Sequence, residues 1–384
     1  MLGCAFGPRT RRGGRDLQHR CGQRDDQSRA RRQIARPSRQ RRIKRAICRR
    51  SSRSRSSLFG GYLESFETGL EANAIARRGA RSHRALVSRQ PLVVGAAESE
   101  KIVKIFVTGA SGQLGTDVVL AASRANHEVV AVSHTELDVT DQAKVMASIA
   151  ASKPDCVIHA AAWTAVDACE SDEAKAMAIN SRGTANIVGA AREVGARVVY
   201  ISTDYVFDGT KKTPYVETDR PNPQSVYGAS KLAGEKHLDS NQDAVVRISW
   251  VCGEHGNNMV KTILRLAATS QTLTFVDDQI GSPTFTEDVA PVLVEFAEQS
   301  RNGIWHLTNQ GVTSWFGFAQ DVLRAAKLDA NSVVSVATSE LQPARPAKRP
   351  ANSVLENAQM RKANLTLLDD YHIPLQRLID RLAS

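Results

Sequence analysis

A glycine-rich turn, Thr108-Gly109-Ala110-Ser111-Gly112-Gln113-Leu114-Gly115, follows a β-branched run, Ile102 to Thr108, and opens a helical stretch, Gln113 to Ala125. The G-x-x-G-x-x-G spacing lets a backbone turn tightly and approach a pyrophosphate, and a helix start offers it free N–H groups and a partial positive charge. An ordinary strand–helix turn is the competing reading, and the rest of the pattern argues against it. Further short apolar runs occur at Glu128–Ser133, Asp155–His159, Arg197–Ser202 and Ala244–Ser249. Between them lie helical stretches at Asp141–Ala151, Glu173–Val194 and Val226–Leu238. Strands alternating with helices in this way imply a parallel sheet covered on both faces, a Rossmann-like doubly wound α/β fold.

Beyond about Asn257 the alternation loosens into helices, short strands and Pro-containing loops. The expected division is therefore 101–256 as an NAD(P)-binding Rossmann-like domain. Residues 257–384 are read as mainly a C-terminal substrate-binding lobe over the strand ends, where ligands bind in such sheets. Residues 1–100 read as a disordered Arg/Ser-rich extension, because few aromatics and no hydrophobic period are available to offset ordering entropy. They carry 24 Lys and Arg against 8 Asp and Glu, whereas from residue 101 onward 27 basic residues face 32 acidic ones. The overall +11 is thus a property of the extension, and a nucleic-acid partner would have to use that segment alone. An anion-binding tail, an organelle transit peptide and upstream sequence translated from a wrongly chosen start all fit it. No apolar run approaches the ~20 residues of a membrane span. Cys156, Cys169 and Cys252 have no paired or metal-like spacing, so a cytoplasmic protein with reduced thiols and no membrane contact is expected.

If the turn binds a dinucleotide, NADPH or NADH, the contacts fall on Gly109, Ser111, Gly112, Gln113, Leu114 and Gly115. An acid at the end of the second strand would favour NADH and an Arg NADPH; Ser133-His134-Thr135 supplies neither. Asp138-Val139 resembles an adenine-edge pair, with a turn or helix-cap Asp as the alternative.

Val226-Tyr227-Gly228-Ala229-Ser230-Lys231 places a tyrosine and a lysine four apart on a helix, hence on one face. A free tyrosine with its pKa of ~10 is a poor acid–base group, and a nearby ammonium would lower that value. Lys231 could also hold the nicotinamide ribose. Thr203, at the end of the fourth strand, could bond either a substrate carbonyl or the Tyr227 phenol; a turn-forming Ser-Thr-Asp cluster is the alternative.

Together these residues resemble the dTDP-4-dehydrorhamnose reductase family of extended short-chain dehydrogenase/reductases, from Lys104 to the C-terminus. The motifs are Ala160-Ala161-Ala162-Trp163-Thr164-Ala165-Val166-Asp167, then Ser202 to Gly209, then Pro223 to Glu235. More specific are Ser249-Trp250-Val251 with His255 to Asn258, Asp277 to Thr284, and Arg349-Pro350-Ala351-Asn352-Ser353. The resemblance implies NAD(P)H-dependent reduction of dTDP-4-dehydro-6-deoxy-L-mannose to dTDP-L-rhamnose by a monomer or homodimer. It implies Tyr227, Lys231 and Thr203 as catalytic residues, and Ala160, Ala161, Ala162 and Thr164 beside the nicotinamide. Thr203, Asp204 and Trp250 are implied at the substrate, with a core tryptophan as the alternative for Trp250. Cys252 departs from the family's usual tyrosine. Some members hold Mg²⁺ through clustered carboxylates, and Asp117 lies near one such position, but without partners no metal is expected. Two alternatives stand: a nucleotide-sugar epimerase or dehydratase, and a non-catalytic regulatory subunit of the methionine adenosyltransferase type. Tyr205 after Thr203-Asp204 leaves no glutamate for a dehydratase's elimination.

Overall fold

The computed structural model describes residues 102–384, and the extension read as disordered lies outside them. Six strands form one parallel sheet: β1 (Lys104–Thr108), β2 (Glu128–Val132), β3 (Cys156–His159), β4 (Arg197–Thr203), β5 (Ala244–Ile248) and β6 (Gly303–His306). Their spatial order is β6-β5-β4-β3-β1-β2. The direction of winding reverses at β1, so the crevice between the carboxyl ends of β1 and β3 is the switch point where ligands of such sheets bind.

Helices α1 (Gln113–Arg124), α2 (Gln142–Ser152), α3 (Gly183–Glu193) and α4 (Val226–Glu235) lie in the crossovers. The period-2 alternation of β1 explains why both faces need cover. Ile105 and Val107 join Leu114 and Val118 of α1 in one core, while Phe106 joins Val145 and Ile149 of α2 and Ile187 of α3 in the other.

The later chain contributes α5 (Met259–Ala267), α6 (Thr286–Glu298), α7 (Trp315–Ala325) and α8 (His372–Ala383). The sheet crosses the division after residue 256. β6 pairs with β5 from Gly303 opposite Ala244 to His306 opposite Arg247, and Val289 and Leu293 of α6 complete the core on the α1 side. The remaining C-terminal residues have a core of their own. Val260 and Ile263 of α5, Phe318 and Val322 of α7, and Leu375 and Leu378 of α8 surround a short parallel pair, Leu273–Val276 with Val333–Val336. Among the described residues, no helix is long and apolar enough to cross a membrane.

The helix expected from Glu173 to Val194 is interrupted. Residues Ala178–Arg182 form a π turn between the helix Glu173–Met177 and α3. Such turns occur frequently at functional sites, and this one carries Asn180 to the Trp163 backbone and Ser230.

Candidate active site

The glycine turn closes beneath the switch point. Gly109 has φ +66°, in the left-handed region, and a Cβ there would stand 2.8 Å from the backbone nitrogen of Ala161. At Gly115 a Cβ would stand 2.1 Å from the carbonyl oxygen of Gly109, so α1 can start this close to the turn only with glycine. No side chain caps α1, whereas Asp141, Ser225, Asn258 and Ser314 cap α2, α4, α5 and α7. The first N–H groups of α1 are thus available to an anion. This cradle and uncapped helix fit the pyrophosphate of a dinucleotide. Gly115→Ala is expected to weaken dinucleotide binding at least about tenfold, since the clash must displace Gly109. Titration calorimetry of the variant against the parent protein measures it.

The crevice, about 400 Å³, is lined among others by Gly109, Gln113, Thr164, Thr203, Tyr227 and Lys231. Ser111, Ala161, Asp138 and Val139 are not in its lining. The Ala161 N–H instead meets the Thr108 hydroxyl at 3.3 Å, locking β1 to the loop after β3. The Asp138 carboxylate accepts from the N–H and hydroxyl of Thr140, at 2.9 and 2.8 Å, the turn role weighed as its alternative. Val139 is buried, packed on Gly183 at the start of α3. The Gln113 side chain donates to the Val251 carbonyl at 3.1 Å and accepts from the Asn258 amide at 2.8 Å, tying the turn to the later chain.

Tyr227 and Lys231 are both buried on the crevice side of α4. The expected tuning of the phenol by the ammonium is not what this geometry produces. Burial raises the Tyr227 phenol above its ordinary range, and the Thr203 hydroxyl is the group that draws it back. The Lys231 ammonium sits 4.0 Å from the centre of the Tyr200 ring, a cation–π contact. Burial lowers Lys231 itself from 10.5 to about 7, with Glu235 pulling the other way. Between those two values the unfolded chain holds a proton that the folded chain lacks, so this group makes stability rise with pH across that window. Below about pH 7 its penalty is fully present. Lys231→Met is therefore expected to stabilise the fold by on the order of 1–3 kcal/mol below the window, with the gain fading across it. Thermal melts over a pH series check this.

Thr203 Oγ1 donates to Asp204 Oδ1 at 2.9 Å and accepts from the Tyr205 N–H at 3.2 Å. The Tyr227 phenol lies beside this hydroxyl. Burial raises the Asp204 carboxyl to about 6, offset in part by the nearby Ser353 and Thr203 hydroxyls. Trp250, at φ +46°, is a wall of the crevice on one side and stacks on Trp315 on the other, ring centres 3.5 Å apart. Both readings of this residue describe part of its surroundings.

Two supports escaped the sequence. Asn180 accepts from the Trp163 N–H at 2.8 Å and donates to the Trp163 carbonyl at 3.1 Å and the Ser230 hydroxyl at 2.9 Å. It thus fixes the loop after β3 to α4. Beneath them Arg247 makes two bonds to Glu235, at 2.9 and 2.7 Å, and Ser202 donates to Glu235 at 2.5 Å. Only the neighbouring polar residues in an Ala-rich helix, Asn180-Ser181-Arg182, hinted at the first.

The family-specific stretches meet one another in the structure. The Asn352 N–H donates to the Gly209 carbonyl at 3.1 Å, and the Ile280 and Ser353 N–H groups bond to Ala351 and Ile280 carbonyls, each at 2.8 Å. Arg349 clamps Asp167 at 3.0 and 2.7 Å. Cys252, where the resemblance has tyrosine, fills the C-terminal core. Asp117 accepts from the Thr286 hydroxyl and faces His255 at 3.5 Å. Among the described residues no group of three or more His, Cys, Asp or Glu is placed to hold a metal ion.

Residues 103–384 match the family model described as the RmlD substrate binding domain. A dTDP-4-dehydrorhamnose reductase from Streptomyces griseus is 40% identical over 278 residues, covering 70% of this chain and 91% of that protein. The crystal structure of a dTDP-4-dehydrorhamnose reductase from Clostridium acetobutylicum aligns with a TM-score of 0.70 at 39% identity, covering 73% of this chain and 100% of that one. Its counterpart from Bacillus anthracis, solved in complex with NADP, aligns with a TM-score of 0.70 at 34% identity over the same shares.

Proposed function

The chain belongs to the dTDP-4-dehydrorhamnose reductase family, and from that premise we propose how its crevice carries out the family's reaction. The protein is an NAD(P)H-dependent oxidoreductase that reduces the C4 ketone of dTDP-4-dehydro-6-deoxy-L-mannose to give dTDP-L-rhamnose. The observation that supports this best is a convergence: the uncapped start of α1 and its glycine cradle open into the same crevice as Tyr227, Thr203 and Lys231.

When bound, the dihydronicotinamide supplies the hydride. Gly109, Gly112 and the N–H groups at the start of α1 hold the pyrophosphate, and Ala160, Ala162 and Thr164 form the wall beside the nicotinamide half. Tyr227 gives its phenol proton to the sugar O4 as negative charge develops there. The phenol is protonated at neutral pH; burial raises its pKa further and so weakens it as an acid, and the Thr203 hydroxyl offsets part of that. Lys231, in the lining of the crevice, would hold the nicotinamide ribose. Thr203, whose hydroxyl lies beside the phenol at the end of β4, orients the sugar carbonyl for that transfer. Asp204 and Trp250 contact the sugar nucleotide, and the part of 257–384 outside α6 and β6 forms the lobe that covers it.

A dehydratase needs a carboxylate after the Thr203-Asp204 pair, and Tyr205 stands there. The intact Thr203, Tyr227 and Lys231 in one crevice, with reductases as relatives, favour an enzyme over a regulatory subunit. The reaction's demand for reduced dinucleotide is the reason for placing the protein in the cytoplasm. Incubation of the chain with the 4-keto sugar nucleotide and NADH or NADPH should oxidise the dinucleotide and yield dTDP-L-rhamnose by mass spectrometry and sugar analysis. Formation of a 4,6-elimination product or no turnover with either dinucleotide would refute the reading.

A further inference from the structure

Lys231 is a buried cation without a carboxylate of its own. Glu235, one helical turn further along α4, gives its oxygens to Arg247 and Ser202, and among the described residues Lys231 forms no ion pair. What meets the ammonium is the face of the Tyr200 ring, 4.0 Å from its centre. That ring is held on several sides. Tyr200 alternates with Val198 and Ser202 along β4 and is fully buried. Its hydroxyl lies 3.3 Å from the Lys231 carbonyl and 3.4 Å from the Asn180 carbonyl, so its one proton ties the ring to α4 and to the π turn. The His159 ring packs beside it, centres 5.7 Å apart. Gly234 leaves room for the hydroxyl, since a Cβ there would stand 2.4 Å from the phenol oxygen. An ordinary core position among Val145, Ile187 and Val198 asks only for apolar volume, and none of these tethers is needed for that.

We propose that Tyr200 is a positioning residue for the dinucleotide: its ring face holds the Lys231 ammonium, charged, at the wall of the crevice where the nicotinamide ribose is bound. The proposal rests on the proposed function in one respect, that Lys231 is the group that holds the ribose. A ring face attracts an ammonium through its quadrupole and supplies no lone pair. The donors of the lysine, three in all, therefore remain for ribose hydroxyls. A carboxylate in the same place would anchor the charge but would occupy those donors. The attraction also favours the charged form and so works against burial, which lowers Lys231 to about 7. His159 adds no competing cation. Its ring is bonded to the Thr108 and Thr184 hydroxyls at 2.7 and 3.2 Å, and burial lowers it to about 3, so it is neutral at physiological pH.

The test is a double-variant cycle read by titration calorimetry of the full chain with NADH and with NADPH, without sugar nucleotide. Tyr200→Leu removes the ring, and Tyr200→Met serves as a second aliphatic replacement if the leucine variant does not fold. Tyr200→Phe keeps the ring face and loses only the hydroxyl. The aliphatic variant is expected to bind the better dinucleotide at least about tenfold more weakly than the parent, and Tyr200→Phe to stay within about threefold. In a Lys231→Met background no ammonium is left to hold, so the same aliphatic exchange should change affinity by less than about threefold. An equal loss in both backgrounds assigns Tyr200 to packing alone and overturns the inference. So does a Tyr200→Phe loss as large as the aliphatic one, or no loss in the aliphatic variant. Each of these leaves the reductase reading standing, whereas a parent protein that binds neither dinucleotide overturns both.

Discussion

Tyr227→Phe is expected to lower kcat by about 10²- to 10⁴-fold while dinucleotide affinity stays within about threefold. The substitution removes one oxygen and little else. The ring is buried and makes an edge contact with Tyr205 at 5.5 Å between centres, which phenylalanine can keep. What disappears is the protonated phenol facing Thr203 in the crevice. A phenol is protonated across neutral pH, so the donor is present there, and its elevation by burial is a cost that the Thr203 hydroxyl partly offsets. Steady-state turnover beside a calorimetric binding curve separates the two effects. Undiminished kcat would move the proton donor elsewhere, with Asp204, raised to about 6, as the next titratable group in the crevice.

Arg247→Met is expected to destabilise the fold by about 3–5 kcal/mol, because it strands a buried carboxylate. Arg247 is 1% exposed and Glu235 9%, and the guanidinium grips Glu235 through two nitrogens. The guanidinium also lies 5.1 Å from the centre of the Phe207 ring. Glu235 stands one helical turn after Lys231 on α4, and Ser202, which donates to it, is the neighbour of Thr203 on β4. The pair therefore sets α4 against β5, and Ser202 sets it against β4, which carries Thr203. Urea denaturation of Arg247→Met, Glu235→Met and the double variant reads out the coupling. The double variant should recover much of the loss, because a buried ion pair replaced whole by apolar side chains is often close to neutral. A single-variant loss under about 1 kcal/mol would show that the pair is not holding these elements.

The parts of this fold visible in sequence are those that local pattern controls. β1 to β5 are short buried strands and so read as apolar runs between turns, and the glycine turn announces its own backbone geometry. β6 does not read this way. Gly303-Ile304-Trp305-His306 is four residues long and pairs with β5, some sixty residues earlier, a contact no local pattern specifies. Placing the boundary after residue 256 followed from missing it. The Tyr227–Lys231 spacing was legible, but not the environment that sets their acidities. Spacing puts the ammonium on the same face as the phenol, while tertiary packing sends it to the Tyr200 ring. Asp138 shows the converse limit: its turn with Thr140 engages Oδ1 alone, so the turn role and the adenine-edge role are compatible and the sequence could not separate them. Asn180 needed the π turn to aim it, so it does not signal itself in the linear sequence.

The central claim is that a hydride reaches C4 of the sugar while Tyr227 supplies the proton. Turnover of dTDP-4-dehydro-6-deoxy-L-mannose with dinucleotide deuterated at the transferring position of the nicotinamide tests it most directly. Deuterium is predicted at C4 of the rhamnosyl product, one atom per dinucleotide oxidised, with Tyr227→Phe forming the same labelled product far more slowly. Label at another carbon, or oxidation without label in the sugar, would contradict it.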